Sequence, residues 1–395
     1  MSDLLWPGDS RAGELCTDAA VLAALVRVEA AWLAALHAHG LAGSADDLTG
    51  LAGPADLPAL ARAAEGGGNP VIPLLALLRE RLAARDPAAA KSLHTGLTSQ
   101  DVLDTGLVLV LREAADRLRD DLAAQIATLS ALADRHRATP MAGRTLTQHA
   151  VPITFGLKAA GWLRGVLDAR DTLDQAAALP VQIGGAAGSL AAPTALAGSA
   201  RRARDLVAAA AAGLGLPAAE PWHTARAPLT RFADALVTAT DAWGRIANDV
   251  LAGSRPEIGE LAEAPAEGRG GSSAMPNKHN PVLAVLIRRA ALAGPPLAAS
   301  LHLAAANAVD ERPDGSWHVE WATLRTLARR TVVAGSQTAE LLAGLRVDAG
   351  RMAATLAAAR PGIDAEQRKL GADGPYRGAT DEIIDATLTR AGEKP

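Results

Sequence analysis

The chain has 395 residues, a formal net charge of −4, a pI near 6.2 and only 3% aromatic residues. This length suffices for a few domains or one elongated helical unit, and it can bury a sizeable core. The mild acidity provides no basic surface for nucleic acid, so no such partner is expected. A single cysteine, Cys16, excludes an intrachain disulfide and fits a reducing, cytoplasmic compartment.

The sequence pattern of the N-terminal region predicts neither a leader nor a membrane span. Residues 1–6 lack a basic segment followed by an apolar one. The apolar run from Val21 to Leu36 carries Arg27 and Glu29, which favours a soluble helix and no membrane partner. No Cys/His cluster has the spacing of a zinc site, so neither a metal nor another cofactor is expected.

Helical patterns follow one another along the chain. Alanine and leucine are abundant and two-residue alternation is scarce, which predicts an all-α fold. Asp18 is predicted to cap a helix that runs to about His39 and stops at Gly40, and residues 41–75 read as short helices and loops. Five long helices are then predicted, at about 99–137, 152–179, 228–251, 281–306 and 316–345.

Prolines mark several of these predicted helices. Pro152, Pro228 and Pro281 each suit a first helical turn, whereas Pro295 and Pro296 should kink the fourth helix. The long helices predict a central bundle over residues 99–345, flanked by an N-terminal helical domain (1–98) and a short C-terminal helical region (346–395).

The loops between the long helices carry the unusual chemistry. They are residues 91–101, 141–149, 184–192 and 264–280. The glycine-rich stretch at 184–190 lacks G-x-G-x-x-G spacing and no strand pattern precedes it, which argues against a dinucleotide site.

The segment from Gly270 to Pro281, called here the serine loop, reads GGSSAMPNKHNP. An isolated Gly-Gly-Ser-Ser is most simply a linker. Here it continues into Lys278, Asn280 and the start of a predicted helix. A cation, an amide and free backbone N–H groups at a helix N-terminus suit a carboxylate ligand.

The serine loop resembles the signature GSSxMPxKxNP of the fumarase/aspartase superfamily. Two further segments resemble the other signatures in the right order, namely the first signature segment (residues 94–101, HTGLTSQD) and the second (residues 143–156, GRTLTQHAVPITFG). The resemblance covers roughly residues 10–345. It implies an all-α fumarase/aspartase-like fold with a central five-helix bundle, and a homotetramer whose active sites are shared between subunits.

The resemblance also implies a reaction and the roles of particular residues. Members add to, or eliminate across, a carbon–carbon bond beside a carboxylate, through an aci-carboxylate intermediate. Ser272 is expected to transfer the carbon-bound proton, for which its weakly acidic hydroxyl needs activation. Lys278 is expected to be catalytic and, with Asn280, to bind a carboxylate of the substrate. The other substrate-binding positions are Thr98, Ser99, Thr145, Gln148 and Ser273.

Two positions depart together from the superfamily pattern. Thr145 is followed by Leu146 where most members have a catalytic histidine, and Val285 stands where its glutamate partner is expected. A buried glutamate without its histidine would be an unpaired charge, so we interpret the two losses as one coordinated change. Intramolecular attack by an ionised substrate carboxylate needs no such pair, because only the carbanion has to be protonated.

That reaction is the one performed by the 3-carboxy-cis,cis-muconate cycloisomerases, which close a tricarboxylate to 4-carboxymuconolactone in protocatechuate degradation. Residues 142–162, 184–191 and 310–321 resemble this branch. Leu146 replaces a frequent tryptophan, and the C-terminal region is short. The alternatives are another lyase, of the adenylosuccinate or nitrosuccinate type, and a non-enzymatic helical scaffold, against which Ser272, Lys278 and Asn280 argue.

Three more side chains are candidates for the site. Arg312 either binds a substrate carboxylate or pairs with Asp310 or Glu311, and the resemblance favours substrate binding. His149 is either a proton donor, which would make it catalytic, or a hydrogen-bonded wall residue. His94 stands where related lyases have a substrate-contacting histidine, so it is expected to bind substrate.

Overall fold

A computed structural model describes residues 3–271, 275, 278–371 and 376–392 of the chain. Helices dominate these residues, which confirms the all-α prediction. The helices are α1 (Asp18–Ala38), α2 (Leu57–Gly67), α3 (Val71–Ala83), α4 (Pro87–Ser92), α5 (Ser99–Arg135), α6 (Phe155–Ala176), α7 (Ala191–Ala197), α8 (Ala200–Leu214), α9 (Ala227–Gly253), α10 (Val282–Ala306), α11 (Gly315–Ala343), α12 (Ala349–Ile363), α13 (Ala365–Lys369) and α14 (Thr380–Gly392).

The five long helices expected from the sequence are α5, α6, α9, α10 and α11, and their presence is confirmed. Helix α10 continues without interruption through Pro295 and Pro296. At the start of α1 the cap is Thr17 rather than Asp18, because the Thr17 side chain accepts a hydrogen bond from the Ala20 N–H at 3.2 Å. Asp18 is the first residue of the helix, where its charge is still favourable.

The structure adds a β-hairpin that the sequence did not predict. Strands β1 (Pro140–Thr145) and β2 (Gln148–Thr154) pair antiparallel, and the shorter strands β3 (Leu261–Ala262) and β4 (Arg346–Val347) form a second pair. Pro152 lies in β2 opposite Ala142, so the prediction of a helix from Pro152 is wrong. A proline is tolerated there because a strand of a two-stranded sheet has a free edge.

The chain divides into two compact units that alternate along the sequence. Unit 1 contains residues 1–116, 175–234 and 296–329, and unit 2 contains residues 117–174, 235–295 and 330–395. The division into 1–98, 99–345 and 346–395 stays a prediction.

Each unit has its own apolar core. In unit 1, α1 packs against α8 and buries Trp32 and Leu33 completely. In unit 2, Trp243 is fully buried, and its ring N–H donates to the Gln125 side chain at 2.7 Å. Helices α9 and α10 meet closely at Gly244, where an added Cβ would lie 2.5 Å from the Ala291 methyl group. Such small-residue contacts let long helices pack along their length.

Helices α1 and α10 are long and apolar enough to cross a membrane by length and composition alone. Core helices of soluble proteins meet the same criteria, and just over half of the α1 window is buried inside the protein. Of the α10 window 33% is buried, and two such helices are weak evidence for a membrane span. Cys16, just before α1, is also buried, and burial raises the pKa of its thiol to about 12.

Candidate active site

The second signature segment forms the β1–β2 hairpin of unit 2. Thr145 pairs with Gln148 across a two-residue turn made of Leu146 and Thr147, and both turn residues have positive φ, 47° and 71°. This backbone matches the twist of a tight hairpin but is unfavourable without glycine, by roughly 1–2 kcal/mol per residue. Thr145, Gln148 and His149 are exposed, so the hairpin presents these polar side chains to solvent in the single chain.

An ion pair and a helix hold the hairpin in place. Arg144 binds the buried Glu260 through two parallel hydrogen bonds, each 2.8 Å long. Helix α12 packs against both strands. His149 lines a cavity of about 360 Å³ whose walls are otherwise formed by α12, including Arg351 and Thr355. The Arg351 guanidinium donates to the Ile258 and Glu257 carbonyls, and the Thr355 hydroxyl donates to the Arg351 carbonyl, so both of these groups already have partners.

The base of the serine loop is closed by Asn280. Its backbone N–H donates to the Gly270 carbonyl at 2.8 Å, and its side-chain amide donates to the same oxygen at 3.2 Å. Gly270 has a φ of 77°, and an added Cβ would lie 2.7 Å from the Asn280 carbonyl oxygen. Only glycine fits this position, which explains why the first residue of the serine loop is Gly270.

The N-terminus of α10, which follows the loop, is occupied by a carboxylate of the chain itself. Glu263 accepts hydrogen bonds from the N–H groups of Leu283 at 3.2 Å and Ala284 at 2.7 Å. The expectation that free N–H groups at this helix end would bind a ligand is therefore wrong.

Basic side chains lie at the described ends of the serine loop. Lys278 is exposed and lies two residues before Asn280. Arg269, Arg346 and His279 line a cavity of about 320 Å³ at the loop base, together with Glu263. Ser272 and Ser273, the proton-transfer and substrate-binding serines expected from the sequence, lie outside the described residues.

The first signature segment lies in unit 1, where it meets Arg312. One guanidinium nitrogen of Arg312 donates to the Thr98 hydroxyl and, at 3.2 Å, to the Ala186 carbonyl. Another, Nε, is buried and has no hydrogen-bond partner among the described residues. Arg312 forms no ion pair with Asp310 or Glu311, both of which the structure describes. A buried guanidinium N–H without a partner favours an anionic ligand. Ser99 begins α5 directly after Thr98.

Asp101 joins the first signature segment to the glycine-rich loop at 184–190. Its carboxylate is fully buried and accepts from the N–H groups of Thr98, Gly184 and Gly185 at 2.8–3.0 Å. A ring nitrogen of the buried His223 lies 3.2 Å from the same carboxylate. The glycine-rich loop therefore positions the Ala186 carbonyl that contacts Arg312, which is a structural role.

A buried ion cluster lies beneath these contacts. Arg226 binds both Asp104 and Glu320, and Asp104 also accepts from the Trp317 ring N–H at 2.8 Å. Burial lowers the pKa of Arg226, but Asp104 and Glu320 raise it by more than burial lowers it. The net shift is upward, so the guanidinium stays charged. Burial raises the pKa of Glu320 despite Arg226. The cluster fixes α11 to α5 just after Arg312.

His94 is the remaining expected residue of unit 1. Its Nδ1 lies 2.6 Å from Oε1 of Glu29, which is fully buried in α1. The backbone of His94 has a φ of 65°, a conformation uncommon for residues other than glycine. The sequence offered no sign of this pair, because a lone acid in an apolar helix reads as a solvent-facing residue.

The expected site residues thus fall into two groups. Unit 1 holds His94, Thr98, Ser99 and Arg312, and unit 2 holds Thr145, Gln148, His149, Lys278 and Asn280. Glu29, Asp101, Glu260 and Glu263 support these residues and were not anticipated. Among the described residues, no group of three or more His, Cys, Asp or Glu side chains could hold a metal ion.

Comparison with known proteins agrees with the three signature segments. Residues 69–293 match a family model described as lyase. A nitrosuccinate lyase of Streptomyces davaonensis is 49% identical over 86% of this chain and 73% of its own length. A 3-carboxy-cis,cis-muconate cycloisomerase of Bradyrhizobium diazoefficiens is 43% identical over 79% of this chain and 68% of its own length.

A solved structure gives the same result. The 3-carboxy-cis,cis-muconate lactonizing enzyme of Pseudomonas putida superposes with a TM-score of 0.83 at 34% identity, over 96% of this chain and 85% of that one. The family match covers more than half of the chain, and the relatives align over most of it. The chain therefore belongs to this lyase family, within the fumarase/aspartase superfamily, and is an enzyme of that superfamily.

Proposed function

We propose that the chain moves a proton at the carbon beside a carboxylate without protonating or deprotonating the group that joins or leaves the neighbouring carbon. The observation that supports this is the joint absence of a histidine at Leu146 and a glutamate at Val285. Leu146 is 96% exposed at the hairpin turn, and Val285 is half exposed on α10. Neither side chain can exchange a proton.

The first candidate reaction is the cycloisomerisation of 3-carboxy-cis,cis-muconate. A substrate carboxylate oxygen attacks the diene and forms the new C–O bond, and the displaced electron pair becomes an aci-carboxylate. Ser272 then donates a proton to the carbanion carbon to give 4-carboxymuconolactone. The attacking carboxylate is already ionised, so Ser272 is the only proton-transfer group required. Arg312 and Lys278 would neutralise carboxylates that stay outside the reaction.

The second candidate is elimination from nitrosuccinate, and the 49% identity to a nitrosuccinate lyase favours it. Ser272 would remove a proton beside a carboxylate, the C–N bond would break, and nitrite would leave with the bonding electrons, giving fumarate. Nitrite is the anion of nitrous acid, which is about as acidic as a carboxylic acid, so it leaves as a stable anion without protonation. This reaction therefore also needs no histidine–glutamate pair. A nitro group has the shape of a carboxylate, so similar cations would bind both substrates.

A parallel assay separates the candidates. The purified 395-residue chain is incubated with each substrate separately. With 3-carboxy-cis,cis-muconate, the loss of diene absorbance and the NMR spectrum of the lactone are measured. With nitrosuccinate, nitrite and fumarate are measured and should appear in equal amounts. Lactone without nitrite supports the first candidate, and nitrite with fumarate alone supports the second. Turnover of neither substrate contradicts the proposal.

A third substrate tests the argument from the missing pair. Adenylosuccinate releases a nitrogen that has to be protonated as it leaves, so no turnover above the enzyme-free rate is expected. Rapid release of fumarate from adenylosuccinate would show that another side chain, such as His149, acts as an acid. That result would contradict the single-serine mechanism.

We also propose that the enzyme is a cytoplasmic homotetramer whose sites combine signature segments of different subunits. Three apolar side chains of α10 support a subunit interface, since Val285, Leu292 and Leu303 are 52%, 68% and 66% exposed. Light scattering after size-exclusion chromatography tests the tetramer. A monomer with full activity would contradict site sharing.

A further inference from the structure

Glu29 is a buried acid in an otherwise apolar helix. It has no exposed surface in α1, and neither have Trp32 and Leu33 in the following turn. Its Oε1 lies 2.6 Å from His94 Nδ1, while its Oε2 is buried without a hydrogen-bond partner in the described part of the chain. Burying a carboxylate with one partner is costly. Packing alone would favour leucine here, so the acid needs another explanation.

Helices α1 and α3 hold three successive residues of the chain shortly before Thr98. Arg79 of α3 donates to the Leu93 carbonyl at 3.2 Å, Glu29 contacts the ring of His94, and the Trp32 ring N–H donates to the Thr95 carbonyl at 2.8 Å. Only the middle contact is made to a side chain that can bind a ligand. The two outer contacts fix the backbone, and Glu29 fixes the direction of the imidazole.

The contact with Glu29 decides which ring nitrogen stays available. When Nδ1–H donates to the Glu29 carboxylate, Nε2 is the nitrogen left for a ligand. Nε2 donates to a substrate carboxylate in the doubly protonated ring, in which both ring nitrogens carry a hydrogen. The His94 side chain keeps 14% of its surface exposed, and no hydrogen bond to Nε2 is found among the described residues. The positive φ of His94 is a further sign that the direction of this side chain is imposed by its surroundings.

The surroundings of His94 favour an anionic ligand. His94 lies four residues before Thr98, and the turn between them is closed by a 3.2 Å hydrogen bond from the Leu97 N–H to the His94 carbonyl. Thr98 in turn binds Arg312, whose Nε is buried without a partner in the described residues. An Nε2–H of His94 and the partnerless Nε–H of Arg312 are both donors, and donors of this kind suit a carboxylate.

We infer that Glu29 is a positioning residue, which holds His94 so that Nε2 binds a substrate carboxylate beside Arg312. The inference rests on the proposed function only in taking the ligand to be a small polycarboxylate. It assigns no proton transfer at carbon to His94. Binding of the substrate, rather than the chemical step, should therefore depend on Glu29.

The test uses Glu29→Leu, Glu29→Gln, His94→Leu and the double variant Glu29→Leu/His94→Leu. Glu29→Leu should raise KM about tenfold or more with kcat changed less than threefold, since a bond to a charged group is lost. Glu29→Gln keeps an acceptor for Nδ1–H and should return KM to within threefold of the wild type. The double variant should resemble His94→Leu, because the two residues act through one contact.

Asp234→Asn is the matched control, since it removes a carboxylate from another histidine, the exposed His302, at 3.0 Å. Its KM should not change. An unchanged KM in folded Glu29→Leu overturns the inference. The inference is also overturned if the double variant raises KM by the product of the two single-variant effects. Thermal melting and light scattering check the fold and assembly, which a leucine in an apolar helix should preserve.

Failure of the proposed function is recognised separately. If the wild type converts neither 3-carboxymuconate nor nitrosuccinate, calorimetric titration with tricarballylate replaces KM. Wild-type binding that weakens about tenfold in Glu29→Leu and recovers in Glu29→Gln supports the positioning role without the proposed reaction. Equal binding by all variants, or no binding by the wild type, overturns it.

Discussion

Arg144 and Glu260 form a two-point ion pair that ties the second signature hairpin to the chain before β3. Both hydrogen bonds are 2.8 Å long, and Glu260 is 2% exposed. Parallel guanidinium–carboxylate bonds fix orientation as well as distance. The hairpin that contains the strained Leu146–Thr147 turn is thus fixed at β1 to another segment of unit 2 by the bond between Arg144 and Glu260.

The first prediction concerns this anchor. Glu260→Gln should lower the free energy of unfolding by about 1–3 kcal/mol, because one charged partner is lost from a buried pair. It should also speed proteolytic cleavage at the hairpin. The control is Glu220→Gln, whose pair with Arg204 is 64–72% exposed and should matter by less than about 1 kcal/mol. Equal effects in urea unfolding would contradict the anchoring role.

The second prediction concerns Ser272. Ser272→Ala should reduce kcat by about 10²–10⁴-fold, the usual contribution of a positioned proton-transfer group, with melting and assembly unchanged. Ser300→Ala in α10 is the control, since that hydroxyl only donates to the Pro296 carbonyl of its own helix. An active Ser272→Ala enzyme would rule out the proposed mechanism on whichever substrate is turned over.

The third prediction concerns Arg312. Arg312→Lys keeps the charge but loses the planar fork and the Nε donor, so KM should rise about 10–100-fold with a small change in kcat. Arg325→Lys provides the control, because Arg325 lies in α11, thirteen residues after Arg312, and pairs with Asp18. Steady-state kinetics measure KM for both variants. Equal KM values for Arg312→Lys and Arg325→Lys would exclude a substrate contact for Arg312.

The fourth prediction is a pH dependence of stability. The Arg329 guanidinium binds the buried Asp9 and holds the pKa of that carboxyl below its usual range. The folded state then binds this proton less readily than the unfolded state, so the stabilisation is complete above the ordinary carboxyl pKa of about 3.9. It is lost as pH falls through the lower folded pKa.

Asp9→Asn should therefore cost about 1–3 kcal/mol at pH 7, and the difference from the wild type should shrink below about pH 4. Urea unfolding at several pH values measures this. Asp46→Asn, which breaks the more exposed pair with Arg85, should have a smaller effect at every pH. A constant difference for Asp9→Asn across the range would exclude linkage through this carboxyl.

The long helices were predictable because their pattern extends over many turns. Helix α5 ends at Arg135 where Arg137 was expected, and α10 begins one residue after the expected Pro281. The hairpin was not predictable in the same way. Its strands of six and seven residues mix polar and apolar side chains, and Pro152 resembles a helix start as much as an edge-strand residue.

The site was predictable where a motif names its residues and not where a fold brings distant residues together. Thr98, Arg312 and Asn280 were expected from their segments. Glu29 lies 65 positions before His94, and Glu263 lies 20 positions before the N–H of Leu283 that it binds. No local pattern links such pairs, since they depend on which helices pack together. The superfamily resemblance covered the motifs and left these partners unnamed.

The buried Cys16 makes this enzyme convenient for labelling. It is the only thiol of the chain, and burial keeps it protonated at the pH of ordinary maleimide reactions. Cysteines introduced on the surface, for example one near the hairpin and one on α12, can therefore be modified selectively in the native background. Fluorescence from such pairs would follow movement of the second signature segment during turnover, without prior removal of the natural thiol.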